Sequence, residues 1–394
     1  MASGIEIAPP VKRLKIKDEN DEIFMSFHKD NLQTLKYALD VFNNHLSCYG
    51  VGILNIKVCN AASSKCFSNA TCDCEQFRKP SSSVPRGFKI RGIFQYGFKM
   101  LDAYIKSPEC IPQRRGARLA LAKLLKFLTD IELTGKTLSQ GREDISETEW
   151  TVRVAHHLFS KLAVGSNYTL DNISKGRIKD AYCNCGCKER LLGDYGDTSM
   201  GVPSYWHGRL DILMDVAVTV ATEEPDSPGA GNCSSSEMTS DRMIACKEQI
   251  RAEAIVFSFL QKKNHPELNN FLIPTIAMSK SQMAVCLYDC ENDIFLETPR
   301  LDLFVEDKFL KIETIITLWS VLNFKYCCSG VPEEIIEFGF TADFFKHAGP
   351  HLEKYIANVK APCCYQTENT WSAVLVLEDV KEKTDDVNNI YQPS

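Results

Sequence analysis

Hydrophobic positions along the chain follow two periods. From Asp30 to Asn44, Leu32, Leu35, Leu39, Val41 and Phe42 recur at helical spacing. Val51 to Val58 (VGILNIKV) reads as a strand. Gly87 to Ile105 and Arg114 to Leu133 predict two more helices, the second with a Leu/Ala face opposite a Lys/Arg face. In Ser146 to Leu162, Trp150, Val154, Leu158 and Leu162 recur every fourth residue. Ser146 is placed to cap that helix, and Glu149, three residues on, completes a capping box. Arg177 to Cys183 is a candidate strand. Tyr205 to Met214 and Val216 to Thr222 predict two strands in close succession. Arg242 to Lys263 predicts a helix, Asn270 to Met278 and Gln282 to Asp289 a strand pair, and Lys311 to Lys325 a last helix.

The order from Ser146 onward is therefore α, a candidate β, β, β, α, β, β. It predicts a mixed α/β fold whose sheet is flanked by helices. At 394 residues, two domains are the natural expectation. Leu133 to Asp144 is polar and contains glycine, which places the boundary there. The expected parts are a disordered basic tail (1–20), a mainly helical N-terminal domain with a Cys-rich loop (21–135), an α/β domain (143–345) and a C-terminal extension (346–394). A Pro/Gly/Ser/Glu insertion, 223–241, is expected to be mobile.

No apolar run approaches the roughly 18–20 residues a membrane helix needs, so no membrane partner is expected. The N-terminus lacks the apolar stretch of a secretory signal. The expected compartment is intracellular, and Lys12, Arg13, Lys15 and Lys17 form a candidate nuclear-import run. The seventeen cysteines are then read as reduced thiols.

Net charge is −6, but Arg78 to Lys126 carries 12 Lys/Arg against Asp102 and Glu109, which leaves −16 for the rest of the chain. Such a local field attracts polyanions. Arg86, Lys89, Arg91, Arg114, Arg115 and Arg118 are the candidate nucleic-acid contacts, interleaved with Phe88, Phe94, Tyr96 and Phe98. Rings stack on bases while cations meet phosphates. The same pattern also describes an amphipathic helix with buried aromatics.

Two cysteine groups suit tetrahedral zinc. Cys59, Cys66, Cys72 and Cys74 share one loop. Cys183, Cys185 and Cys187 form CNCGC, whose fourth ligand must come from elsewhere, for instance His207. Incidental surface thiols are the alternative reading. No Ser–His–Asp, Walker or dinucleotide motif is present.

In WHGRLDILM, Asp211 stands among apolar strand residues, where a carboxylate is costly unless paired or metal-bound. Strand alternation would put His207 and Arg209 on its face. Over about residues 143–297, the element order together with Asp211 resembles the PD-(D/E)XK nuclease superfamily, in its divergent exonuclease-like branches. The resemblance implies a restriction-endonuclease-like core and a magnesium site for phosphodiester cleavage, with the metal stabilising the attacking and leaving oxygens. It further implies that Asp211 is the second-strand metal ligand, that Glu149 or Glu147 is the first-helix acid, and that Gln249 supports the site from the second core helix.

The family's acid-X-Lys is missing from the third strand, where Thr219, Val220 and Ala221 stand. Glu223 could replace the acid by a register slide, or Lys247 and Glu248 by migration. The expectation is a divergent nuclease-fold protein that binds nucleic acid and either has lost catalysis or, through such a replacement, is a metal-dependent DNA or RNA nuclease. The rival is a non-enzymatic, zinc-stabilised scaffold that meets protein partners.

Overall fold

We describe a computed structural model of the protein over residues 21–27, 29–44, 49–77, 88–172, 182–183, 185–214, 218–222 and 246–362. The basic tail 1–20, the insertion 223–241, Arg86, Glu223, most of the strand expected at 177–183 and the end beyond 362 lie outside these residues.

The fold is mixed α/β, built on one large sheet. Its strands are β1 (Gly50–Cys59), β3 (Cys72–Gln76), β4 (Phe88–Lys89), β5 (Tyr168–Asp171), β6 (Asp194–Gly196), β9 (Ile212–Met214), β10 (Val218–Thr222), β11 (Leu272–Met278), β12 (Gln282–Asp289), β13 (Ile294–Glu297) and β14 (Leu301–Asp302). They run in the order β3-β1-β13-β12-β11-β10-β9-β5-β6, with β4 added to β1 and β14 to β12. A small sheet holds β2 (Lys65–Cys66), β8 (Trp206–Arg209) and β7 (Ser199–Gly201), in the order β2-β8-β7.

The sheet crosses the expected boundary at 133–144. Gly52, Ile53 and Leu54 of β1 pair with Glu297, Leu296 and Phe295 of β13. Residues 21–135 are therefore not a separate helical domain. They supply edge strands to the same sheet and side chains to the same core. Part of the supposed linker is itself helical, Ile131–Ser139.

β10 and β11 are parallel neighbours, so the chain must cross over between them. The helix Lys247–Asn264 does this. It packs on β11 and β12 and also meets β7, β8 and the helix Leu352–Asn358. Contact on several sides explains why every residue from Ile250 to Gln261 is buried.

Tyr205–Met214, expected as one strand, is split. The backbone of Leu210 is held by Thr198, whose Oγ1 donates to the Leu210 carbonyl at 2.6 Å. The next residue already belongs to the large sheet, since the Asp211 carbonyl accepts from the Asp171 amide at 3.2 Å. The chain changes sheets between these two residues, so period-2 alternation alone could not show the break.

Candidate metal centre

The centre begins with a helix. Ser146 caps Glu147–Val154 through the expected capping box, and Glu149 returns its carboxylate to the Ser146 amide at 2.8 Å. Trp150, Val154 and Leu158 point into the core. At Ala155–Phe159 the helix widens into a π turn. A π turn inserts a residue into the helical ladder and re-aims the side chains around it, often at functional sites. Here it buries both His156 and His157, at 3% and 2% exposure.

The CNCGC segment closes over this turn. The Cys183 amide donates to the Glu189 carbonyl at 2.9 Å, and Tyr182 bridges Arg190. Gly186, at φ +90°, takes the left-handed turn between Cys185 and Cys187 that a side chain would strain. As a result His157 Nε2 lies 3.3 Å from Cys183 Sγ, 3.2 Å from Cys185 Sγ and 3.6 Å from Cys187 Sγ. With Zn–S near 2.3 Å and Zn–N near 2.05 Å, a tetrahedral ion separates sulfur from nitrogen by about 3.6 Å. The four donors all lie within 4.8 Å of one another and could hold a metal ion such as zinc. Magnesium is not suited to them, because it demands oxygen ligands.

The surroundings fit the same chemistry. The Glu189 amide points at Cys187 Sγ, at 3.4 Å, and the Cys185 amide bonds to the Cys183 sulfur. Such N–H groups stabilise thiolates. Burial, with help from neighbouring His156, lowers His157 to about 4, so its imidazole is neutral and able to ligate. Burial and the adjacent thiols push Cys183 up, and Cys187 is raised by burial despite the Glu189 amide. Without a cation these sulfurs stay protonated, whereas a bound divalent ion reverses the balance and expels their protons. His156 Nε2 meets Glu189 Oε2 at 3.0 Å and braces the turn. With four protein donors and no open position, the arrangement suits a structural ion rather than a catalytic one.

The expected fourth ligand, His207, is not part of this group. Its Nε2 faces Cys66 Sγ at 3.7 Å in the small sheet. The other cysteine loop does not converge on one point. Cys72 and Cys74 lie side by side on β3 with sulfurs 3.9 Å apart, Cys59 sits on β1, and Cys66 is turned to His207. No group containing these four is among the metal-competent clusters of the described residues.

The residues expected to serve a magnesium site are dispersed. Asp211 is half-buried at the junction of β8 and β9. Arg209 pairs with Asp171 at 2.8 Å and with Asp197 at 3.3 Å. Glu149 is occupied in the capping box. Gln249 donates to Glu253 at 2.9 Å, one turn along its own helix. Lys247 meets Glu297 at 3.1 Å, and Glu248 accepts from the Cys72 amide at 3.2 Å. Glu297 lies on β13, four strands from β9, or about 19 Å at the usual strand spacing. Lys247 and Glu248 therefore cannot share an ion with Asp211. In the third strand, Thr219 Oγ1 pairs with Thr275 Oγ1 at 2.9 Å in the core.

The aromatic and basic residues of 88–99 divide between the core and local pairs. Phe94 and Phe98 are buried. Arg91 pairs with Asp102 and lies over the Phe98 ring, and Lys89 donates to the Asn43 carbonyl. Arg115 is exposed, Arg114 and Arg118 are half-buried, and all three have interactions of their own. No helix among the described residues is long and apolar enough to cross a membrane.

No family model, curated protein or solved structure matches the chain.

Proposed function

We propose that this protein is a non-enzymatic, zinc-stapled scaffold built on a nuclease-like core. One observation carries the reading. His157 and the three CNCGC thiols converge at ligand distances, while Asp211, Glu149, Gln249, Lys247 and Glu248 do not converge. The nuclease-like part of the reading draws on element order. The helix at 147–162, β5, β9, β10, the helix Lys247–Asn264 and β11 follow the α-β-β-β-α-β sequence of that superfamily, with β6, β7 and β8 inserted between β5 and β9. In the third strand the neutral Thr219 bonds to Thr275 of the neighbouring β11, which favours a core kept for its shape. On this reading the zinc ion ties the first core helix to the loop that enters β6, and the basic stretch 78–126 meets an acidic partner such as a nucleic acid.

The test is metal analysis of the purified chain beside a cleavage assay with Mg²⁺ or Mn²⁺ on single- and double-stranded substrates. The expected result is about one equivalent of zinc, cut below about half an equivalent by His157→Ala, with no cleavage. Zinc below half an equivalent in the unaltered protein would overturn the staple. Cleavage abolished by Asp211→Ala would restore the enzyme reading. Binding that weakens steeply with salt would place a nucleic acid on the basic stretch.

A further inference from the structure

Cys66 differs from the other thiols among the described residues. Among the described residues only Cys66, Cys110 and Cys187 are exposed, and Cys187 belongs to the metal centre. Burial holds several of the others as thiols, with Cys59, Cys290 and Cys328 raised to about 12. Cys66 alone of the exposed three stands against an imidazole outside that centre, with His207 Nε2 at 3.7 Å.

The imidazole is also fixed. His207 Nδ1 lies 2.8 Å from the Tyr205 carbonyl, an acceptor only, so Nδ1 carries the proton and Nε2 presents its lone pair to Cys66. The same carbonyl accepts from the Lys65 amide at 3.1 Å, which locks the residues before the thiol and the imidazole together. Cys66 and His207 are direct partners in the parallel β2–β8 ladder. Between them and the core sits Trp206, fully buried, with its indole N–H donating to Asn60 at 2.8 Å. A nucleophile, a base and a group that orients the base are thus carried on rigid strands, the arrangement that activates a cysteine.

We propose that Cys66 and His207 form a nucleophilic thiol–imidazole dyad that exchanges with small disulfides. His207 Nε2 takes the thiol proton. The Cys66 sulfur then attacks one sulfur of the disulfide, that S–S bond breaks, and a mixed disulfide forms on Cys66. The departing sulfur leaves as a thiolate and collects the proton from the imidazolium. The disulfide is the oxidant, and one free small thiol is released for each Cys66 modified. No oxyanion pocket is needed, because the charge passes from sulfur to sulfur. The step is independent of the metal centre.

The test offers a chromogenic aromatic disulfide to the full chain at pH 6.5, prepared without chelator so that the CNCGC thiols keep any metal. Modified sites are mapped by mass spectrometry at early times. Among the thiols of the described residues Cys66 should react first, at least about tenfold faster than Cys110. His207→Gln should bring it to within about twofold of Cys110, while Cys110→Ser should leave its rate unchanged. A Cys66 no faster than Cys110 in the unaltered protein would overturn the proposal even if the His207 variant failed to fold. An unchanged Cys66 rate in folded His207→Gln protein would overturn it as well.

Discussion

Asp293 sits on the tight connection between β12 and β13, at φ +52° and only 4% exposed. Its carboxylate accepts from the Tyr288 hydroxyl at 2.8 Å and from the Phe345 amide at 3.2 Å. Burial nevertheless outweighs these bonds and raises it to about 6. The folded state therefore holds this proton more tightly than the unfolded chain does. Its favourable contribution is complete below about pH 4, declines as pH rises to about 6 and is absent above. About two pH units correspond to about 3 kcal/mol. Asp293→Asn keeps a residue tolerant of the left-handed backbone and cannot ionise. In urea unfolding, the stability of the native chain relative to this variant should fall by about 3 kcal/mol between pH 4 and pH 7. A constant difference would refute the assignment. At the same scale, the thiols of the candidate metal centre were legible because CNCGC is a local pattern. His157 was not, since it lies 26 residues upstream of Cys183 within an apolar helical repeat, and only the His156–His157 doublet marked it. The capping box at Ser146 was legible, and it removed Glu149 from the catalytic candidates once its partner was seen.

Elements follow the same division between local and distant causes. The helices at Lys29–Asn44 and Lys247–Asn264 and the strands β1, β11 and β12 match their periodicity closely. β5 and β13 were missed because they are four residues long, too short for alternation to register. The split of β8 from β9 depends on Thr198 and Asp171, which no window around Leu210 contains. The small sheet depends in turn on Gly201. It stands at φ +111°, and a Cβ there would fall 2.3 Å from the Trp206 carbonyl oxygen. Backbone cannot yield as a side-chain tip can. Gly201→Ala should cost at least about 2–4 kcal/mol in chemical unfolding. Loss of native protection from hydrogen exchange should be largest in β7 and β8. Stability within about 0.5 kcal/mol of the native chain would show that this turn relaxes freely.

For the whole molecule, the decisive feature is that residues on both sides of the expected boundary share one ladder and one core. Calorimetry should therefore give a single unfolding transition for the described fold, where two autonomous domains would give two. On the proposed zinc reading, a chelator should lower that transition by at least about 5 °C without splitting it, since an ion bound only to the folded state stabilises the whole. Two resolved transitions would contradict the single sheet. The two-domain expectation rested on length and its boundary on composition at 133–144, and neither reports strand pairing across the chain.

That ladder also sets a schedule for synthesis. Gly52 emerges from the ribosome well before Glu297 and can pair with it only after the intervening residues have followed. Closing a loop of about 245 residues costs on the order of 5 kcal/mol in chain entropy. Until then β1, a ten-residue strand, has no β13 beside it. One of its edges is open to any other extended segment in reach. The nascent chain thus carries an adhesive edge on β1 throughout the synthesis of the residues that separate it from β13.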